Sequence, residues 1–442
     1  MKKRPDLLND NVESLVLKYM IPSVAGMLGL SACIFFDTLF VGKGIGDNGL
    51  AALNIAVPIF NFYNSIGYLL GVGGATTMSI AIGRKQHKKA HSIFTVSIIF
   101  SLIIGLIFTL GGIFFINPIA RFFGASEELL PLVTDYLSII LYASILFILS
   151  ITLNVFVRND KAPKLAMWAV ILGNFSNIIL DYILIFPLDL GMKGAAIATI
   201  TAPTISIIVL SLHFIRSHNS IHINFTNLTF EHSPKIFKNG ASSLVMELSA
   251  GLIIFTFNLS VFKLKGDLGI AAYSIIANLS MIVTAIYYGV SQAIQPIISI
   301  NYGADNKKRV LKAFKFANKI ALAIGVLCFL LGLIFPKQLT SIFTNDRGEL
   351  LKLTITGIKL YFMTFIFSGL NIVAITYFQC TEKTRFSTTL SFLRGIILVM
   401  IGVFILPKFL GIDGIWLTIP ISEILTLIVA IIFYIISKKK SK

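Results

Sequence analysis

The chain has 442 residues, of which 56% are hydrophobic and only 13% charged, with a mean hydropathy of +0.87. A soluble protein of this length is not so apolar, and the apolar residues fall in runs of roughly 20 or more, long enough to cross a bilayer as helices. The net charge of +17 does not point to nucleic acid, because Lys and Arg sit in short loops between apolar runs instead of forming one stripe.

A polar start, MKKRPDLLND, precedes a first apolar run too long for a signal-peptide core, so no cleavable signal peptide is expected. The pattern predicts an all-α membrane protein with twelve transmembrane helices. The first six cover 15–41, 51–82, 92–116, 129–157, 162–186 and 194–215. The second six cover 236–262, 268–300, 311–335, 350–379, 386–406 and 412–436. Span 1 holds Pro22, which is expected to bend it, and Asp37 within the run CIFFDTLFVG. Cys33, Cys328 and Cys380 lie in or at the end of spans without CxxC spacing, which points to packing and not to disulfides or a metal cluster. Loops rich in Lys and Arg (RKQHKK, RNDKAPK, KKRVLKAFK, EKTR) alternate with loops poor in them, so both termini are expected in the cytoplasm of a multi-pass cell-membrane protein.

The chain is duplicated. KGIGDNGLAALNI begins at Lys43 and KLKGDLGIAAYSI at Lys263, an offset of 220 that also relates Gly83 to Gly303, Pro187 to Pro407, Gly191 to Gly411 and Gly194 to Gly414. Each copy carries an even number of spans, so the two lobes, 1–220 and 221–442, are parallel repeats about an axis along the membrane normal.

The polar set was not duplicated with the scaffold. Asp37, Asn177 and Asp181 correspond in the second copy to Phe257, Ile397 and Ile401. Asp37 and Asp181 lie near the outer ends of spans 1 and 5, and Thr199 near the outer start of span 6, all roughly 6–8 Å below the helix ends at ~1.5 Å per residue. Asn177 and Asp181 share a helix face, as do Ala195 and Thr199. A charged Asp within a span costs roughly 2.5–3.5 kcal/mol on insertion scales. No Lys or Arg lies at this depth in the first six spans, since Lys18, Arg158 and Lys164 mark the other ends. Either each acid is protonated and hydrogen-bonded between helices, or a hard cation such as Na⁺ occupies the oxygens.

These features resemble the multidrug and toxic compound extrusion (MATE) family over essentially the whole chain. The resemblance is carried by Pro22 with DTLFVG in span 1, NIILD in span 5, GAAIAT opening span 6, and QPIISINYGADNKKR entering the middle loop. It implies a cation site in the N-lobe built from Asp37, Asn177, Asp181, the Ala195 carbonyl and Thr199, with Na⁺ as a metal on Asp37, Asn177, Asp181 and Thr199, or H⁺ in its place. It also implies a non-enzymatic antiporter that exports lipophilic, often cationic compounds, with no cofactor beyond the coupling ion. Another branch of the family uses an acid in span 7 and aspartates in span 10, and since span 10 here holds no acid the chain looks closer to the N-lobe type.

The second half holds Glu247, Arg394 and Glu423 at mid-depth, either to recognise a cationic drug or as an Arg–Glu pair that fixes helix packing. Tyr68, Tyr136, Met246 and Tyr287 are candidate cavity-lining residues. The expected partners are small-molecule drugs or toxic organic cations and the lipid bilayer, with no nucleic acid, and the protein is expected to be a monomer. A lipid-linked or metabolite exporter of the same superfamily is the alternative within transport. A membrane-embedded hydrolase is the alternative outside it, suggested by GIGD at 44–47, although that motif falls in a loop. No GxxxxGK[ST] motif supports a primary pump.

Overall fold

A computed structural model describes residues 5–215, 219–226, 228–344 and 348–439, and among them there is no strand. Helix α1 (Val12–Gly44) starts at Asn11, whose side-chain oxygen accepts from the backbone N–H groups of Glu13 and Ser14 at 3.0 and 3.3 Å. It runs as one helix past Pro22. A single tight turn at Gly46, with φ 87°, reverses the chain into α2 (Asp47–Gly83). Only glycine adopts that backbone without strain, so the GIGD stretch is the hairpin between two spans.

The rest of the first lobe is α3 (His87–Phe122), α4 (Leu130–Tyr142), α5 (Ser144–Asn159), α6 (Pro163–Ile185) and α7 (Gly191–Ile215). In the second lobe α8 (Ser233–Gly303) is continuous in assignment but broken at Gly266, where φ is 56° and ψ −145°. Phe257 and Tyr273 stack across that break with ring centroids 5.2 Å apart, whereas 16 residues of straight helix would separate them by about 24 Å. Two antiparallel spans therefore meet there without a loop. Then come α9 (Lys307–Ile334), α10 (Pro336–Ser341), α11 (Glu349–Tyr361), α12 (Thr364–Cys380), α13 (Thr384–Phe392), a π-turn at Leu393–Ile397, α14 (Leu398–Leu410) and α15 (Ile412–Lys439).

Spans 4 and 10 are each broken, by 51° between α4 and α5 and by 43° between α11 and α12. With each bent pair counted once and α8 counted twice, the described residues hold the twelve spans of two six-helix lobes. The 220-residue offset is visible in the backbone as well. Left-handed conformations recur at Gly46 and Gly266, at Lys85 and Asp305, and at Gly191 and Gly411.

Two large apolar cores form, beside a smaller cluster around Ile375, Phe378 and Leu390. One gathers Tyr63, Tyr136, Phe156 and Ile185, and the other Phe257, Tyr273, Tyr287 and Trp416. Helix α1 serves both: Val12, Leu15, Val16 and Tyr19 pack in the second core, whereas Val41 packs in the first. The two lobes press together at the end of the molecule that carries the described N- and C-terminal residues. There Gly83 lies against Ile300 and Gly303, while Gly303 lies against Ile80, a reciprocal contact related by the same offset. Gln295 Nε2 donates to Thr76 Oγ1 at 3.1 Å, Asn239 Nδ2 donates to Thr77 Oγ1 at 2.9 Å, and Arg84 pairs with Glu382 at 2.8 Å across the same seam.

Candidate functional site

The site begins on one face of α6. Asn177 and Asp181 are one turn apart and both buried, and Asn177 Nδ2 donates to Asp181 Oδ2 at 3.1 Å. Gly44 at the end of α1 packs against Ile185 and Phe186 at the end of α6, and this contact sets α1 beside α6. Cys33 Sγ on α1 then donates to Asn177 Oδ1 at 2.7 Å. One turn further on, the Asp37 carboxyl lies close against the Asp181 carboxyl. An ionised carboxylate only accepts, so this contact requires a proton on one partner or a cation shared by both.

Each acid also keeps one oxygen, Oδ1, buried and without any hydrogen-bond partner. Among the described residues, no basic side chain is within ion-pair distance of either acid. Two neighbouring acids, each with a buried oxygen that no donor satisfies, suit a hard, oxygen-seeking cation or a shared proton. On α7, Thr199 Oγ1 donates to Ala195 O at 2.8 Å and lies 3.4 Å from the Tyr136 hydroxyl. Tyr136 is itself within electrostatic reach of both acids. Of the sequence-derived set, Asp37, Asn177 and Thr199 line one cavity, Asp181 is bonded to Asn177, and the Ala195 carbonyl is engaged by Thr199.

Beside the acids is a cavity of about 390 Å³. Asp37, Asn177, Tyr136 and Thr199 line one part of it, and Pro22, Arg158 and Gln292 line another; Asp181 stands behind this wall. Tyr68 also lines it, as a substrate candidate should. Met246 and Tyr287 do not. Tyr287 is 1% exposed and its hydroxyl donates to Phe365 O at 2.7 Å, so it belongs to the second core, and Met246 packs at the margin of that core.

In the C-lobe, Arg394 Nε donates to Glu423 Oε1 at 2.6 Å and Arg394 Nη2 to Ser368 Oγ at 2.8 Å. Asn371 Nδ2 donates to the other carboxylate oxygen of Glu423 at 2.6 Å. These bonds tie α12, the π-turn and α15 together, which is the packing arrangement. Glu247 is left out of that pair, with Tyr68 and Tyr288 nearby. The positions that match the N-lobe site are apolar, with Phe257 in the core and Ile397 and Ile401 exposed at 44% and 51%.

Two contributors escaped the sequence reading. Cys33 is a hydrogen-bond donor to Asn177 and not merely a small packing residue, and its spacing one turn before Asp37 was the available signal. Arg158, placed at a helix end by its position, turns its side chain into the cavity, and nothing in the local sequence announces that.

The MatE family profile matches residues 22–183 and 243–405, one match in each lobe. The chain is similar to the Multidrug export protein MepA of Staphylococcus saprophyticus, 29% identical over 433 residues covering 95% of this chain and 94% of that one. It is similar to the Staphylococcus aureus (strain MRSA252) protein of the same description at 26% identity, covering 94% and 92%. Among solved structures, an outward-facing multidrug resistance MATE family transporter of the MOP superfamily superposes with a TM-score of 0.92, at 23% identity and 100% coverage of both chains.

Proposed function

The chain belongs to the MATE family of membrane transporters, and from that premise we propose that it is a cation-coupled antiporter that exports lipophilic, often cationic compounds. Membership displaces the hydrolase alternative. The observation that carries the coupling is the contact between Asp37 and Asp181, each with an orphaned buried oxygen and neither with a basic partner among the described residues. Na⁺ or H⁺ entering between them bridges α1 to α6. Because Asp37 is also part of the cavity wall, the cation and the substrate bind conformations that compete, and linkage makes that competition reciprocal.

The Lys- and Arg-rich loops support placing both termini in the cytoplasm of a cell-membrane protein. With that orientation the Gly83–Gly303 seam lies on the cytoplasmic side, which supports reading it as the closed gate of an outward-facing form. Substrate release to the outside then accompanies cation entry, and return to the cytoplasmic side requires the seam to part.

Ethidium efflux from cells, measured while external Na⁺ and pH are varied, tests this reading. Wild type is expected to respond to one of the two cations, and Asp37→Asn and Asp181→Asn to lose that response. Efflux unchanged in both variants removes the coupling role from these acids.

A further inference from the structure

Arg158 stands in the last turn of α5, only 4% exposed, with its side chain in the N-lobe cavity. Its Nη1 donates to Asn154 Oδ1 at 3.3 Å and to Gln292 Oε1 at 2.7 Å, and both acceptors are neutral. Its Nε and Nη2 have no partner. No carboxylate among the described residues pairs with it. Asp160, two residues on, is committed to His213 Nε2 at 2.7 Å and the Ser220 N–H at 2.9 Å. Tyr68 is within electrostatic reach of both Arg158 and Glu247, but no ion pair joins those two charges.

A buried guanidinium without a counter-charge is costly, and neutral hydrogen bonds alone offset that cost poorly. A role confined to packing accounts for Nη1 and leaves the rest of the group idle. The idle pair is informative. Nε–H and Nη2–H form one edge of the guanidinium, two parallel donors spaced to receive both oxygens of a carboxylate.

Gln292, which holds Nη1, contacts Met27 Sδ through its Nε2 at 3.4 Å. Met27 lies ten residues before Asp37 on α1, so the guanidinium sits about 15 Å from the acid pair along the helix. The cavity thus has an acidic end and a basic end, with Tyr68, Asn64 and Phe60 among the residues lining it.

We propose that Arg158, which lines the N-lobe cavity, is an anion subsite that takes the carboxylate of an amphipathic organic substrate through its Nε–Nη2 edge once that edge, buried in this conformation, turns into the cavity. This rests on the reading of the protein as an exporter but not on its coupling. Substrates with a free carboxylate then bind in preference to their esters, and a zwitterion places its cationic end toward Asp37.

Rhodamine 19 and its ethyl ester rhodamine 6G differ only in whether that carboxylate is free, and their fluorescence anisotropy reports binding to the purified full chain without any ion gradient. Wild type is expected to bind the acid more tightly than the ester. Arg158→Gln is expected to weaken the acid roughly tenfold to a hundredfold, the range for hydrogen bonds to charged groups, with the ester unchanged. The unchanged ester also certifies the fold of the variant. Should Arg158→Gln bind neither probe, the acid-to-ester preference is read in Arg158→Lys, which keeps the charge: a retained preference supports the subsite, and its loss overturns it. A wild-type preference at or below one, or an equal fall of both probes in a folded Arg158→Gln, also overturns it. Failure of coupling alone leaves these binding ratios intact, so the two readings fail separately.

Discussion

A methyl group added at Gly83 tests the seam that holds the lobes together. It would lie 2.9 Å from Ala304 N and 3.0 Å from Gly303 Cα, and would overlap the Ile300 carbonyl oxygen outright. Those neighbours are backbone and cannot rotate away. Ordinary contact begins near 3.4 Å, so α2 and α8 must separate by about 1 Å, at a cost of roughly 1–3 kcal/mol for overpacking. The cost falls on the closed seam alone, because the parted form has no such contact. The closed population should therefore drop roughly fivefold to more than a hundredfold relative to the parted one. Spin labels at the exposed residues Lys85 and Arg385, one on each lobe, report that separation by pulsed EPR when Cys328→Ser removes the half-buried thiol. Gly83→Ala should add a longer distance to the distribution. Gly111→Ala, where a methyl group meets nothing within 4 Å, should not. A Gly83→Ala distribution identical to that of the wild type would refute the argument that this seam is the closed gate.

Breaking the buried Arg394–Glu423 pair with Arg394→Leu leaves Glu423 charged and unpaired, a loss of roughly 3–5 kcal/mol; thermal unfolding should fall, and the Arg394→Leu/Glu423→Leu double variant should recover most of it. Cys33→Ala removes the bond that orients Asn177, and at about 0.5–1.5 kcal/mol for a net hydrogen bond it should shift the half-saturating cation concentration for efflux by roughly two- to tenfold, whereas no shift would leave Cys33 as packing. Outside the membrane, Asp6 accepts from Asn9 Nδ2 at 2.8 Å and Leu8 N–H at 3.0 Å, and these bonds hold its carboxyl below the ordinary value of 3.8. A depressed carboxyl stabilises the N-terminal segment above its unfolded value and loses that contribution as pH falls through its folded one. Amide exchange at Leu8, corrected for intrinsic rate, should therefore lose protection only in that acid range, and Asp6→Asn should remove the pH dependence.

Much of the architecture was legible because helices and repeats leave periodic marks. The offset that relates Lys43 to Lys263 also relates the left-handed glycines at 46 and 266, and it carries the break of span 4 onto span 10. Asn177 and Asp181 share a face by helical spacing alone, and the depth of Asp37 placed it at their level. What stayed hidden was long-range. The division of α1 between two cores depends on which lobe each turn touches, and an apolar run looks the same in either case. Arg158 reads as a loop-end charge, but a guanidinium on a long flexible stem can turn back into a cavity. Tyr287 and Tyr68 are equally aromatic in sequence, and only packing separates the core residue from the cavity residue.

The most direct measurement of the central claim is the ion that leaves when substrate arrives. Ethidium added to purified protein, in weakly buffered solution containing tracer ²²Na⁺, should displace either protons or Na⁺ from the wild type. It should displace neither from Asp37→Asn or Asp181→Asn. Displacement that persists in both variants, or ethidium binding to the wild type without release of either ion, would contradict the account.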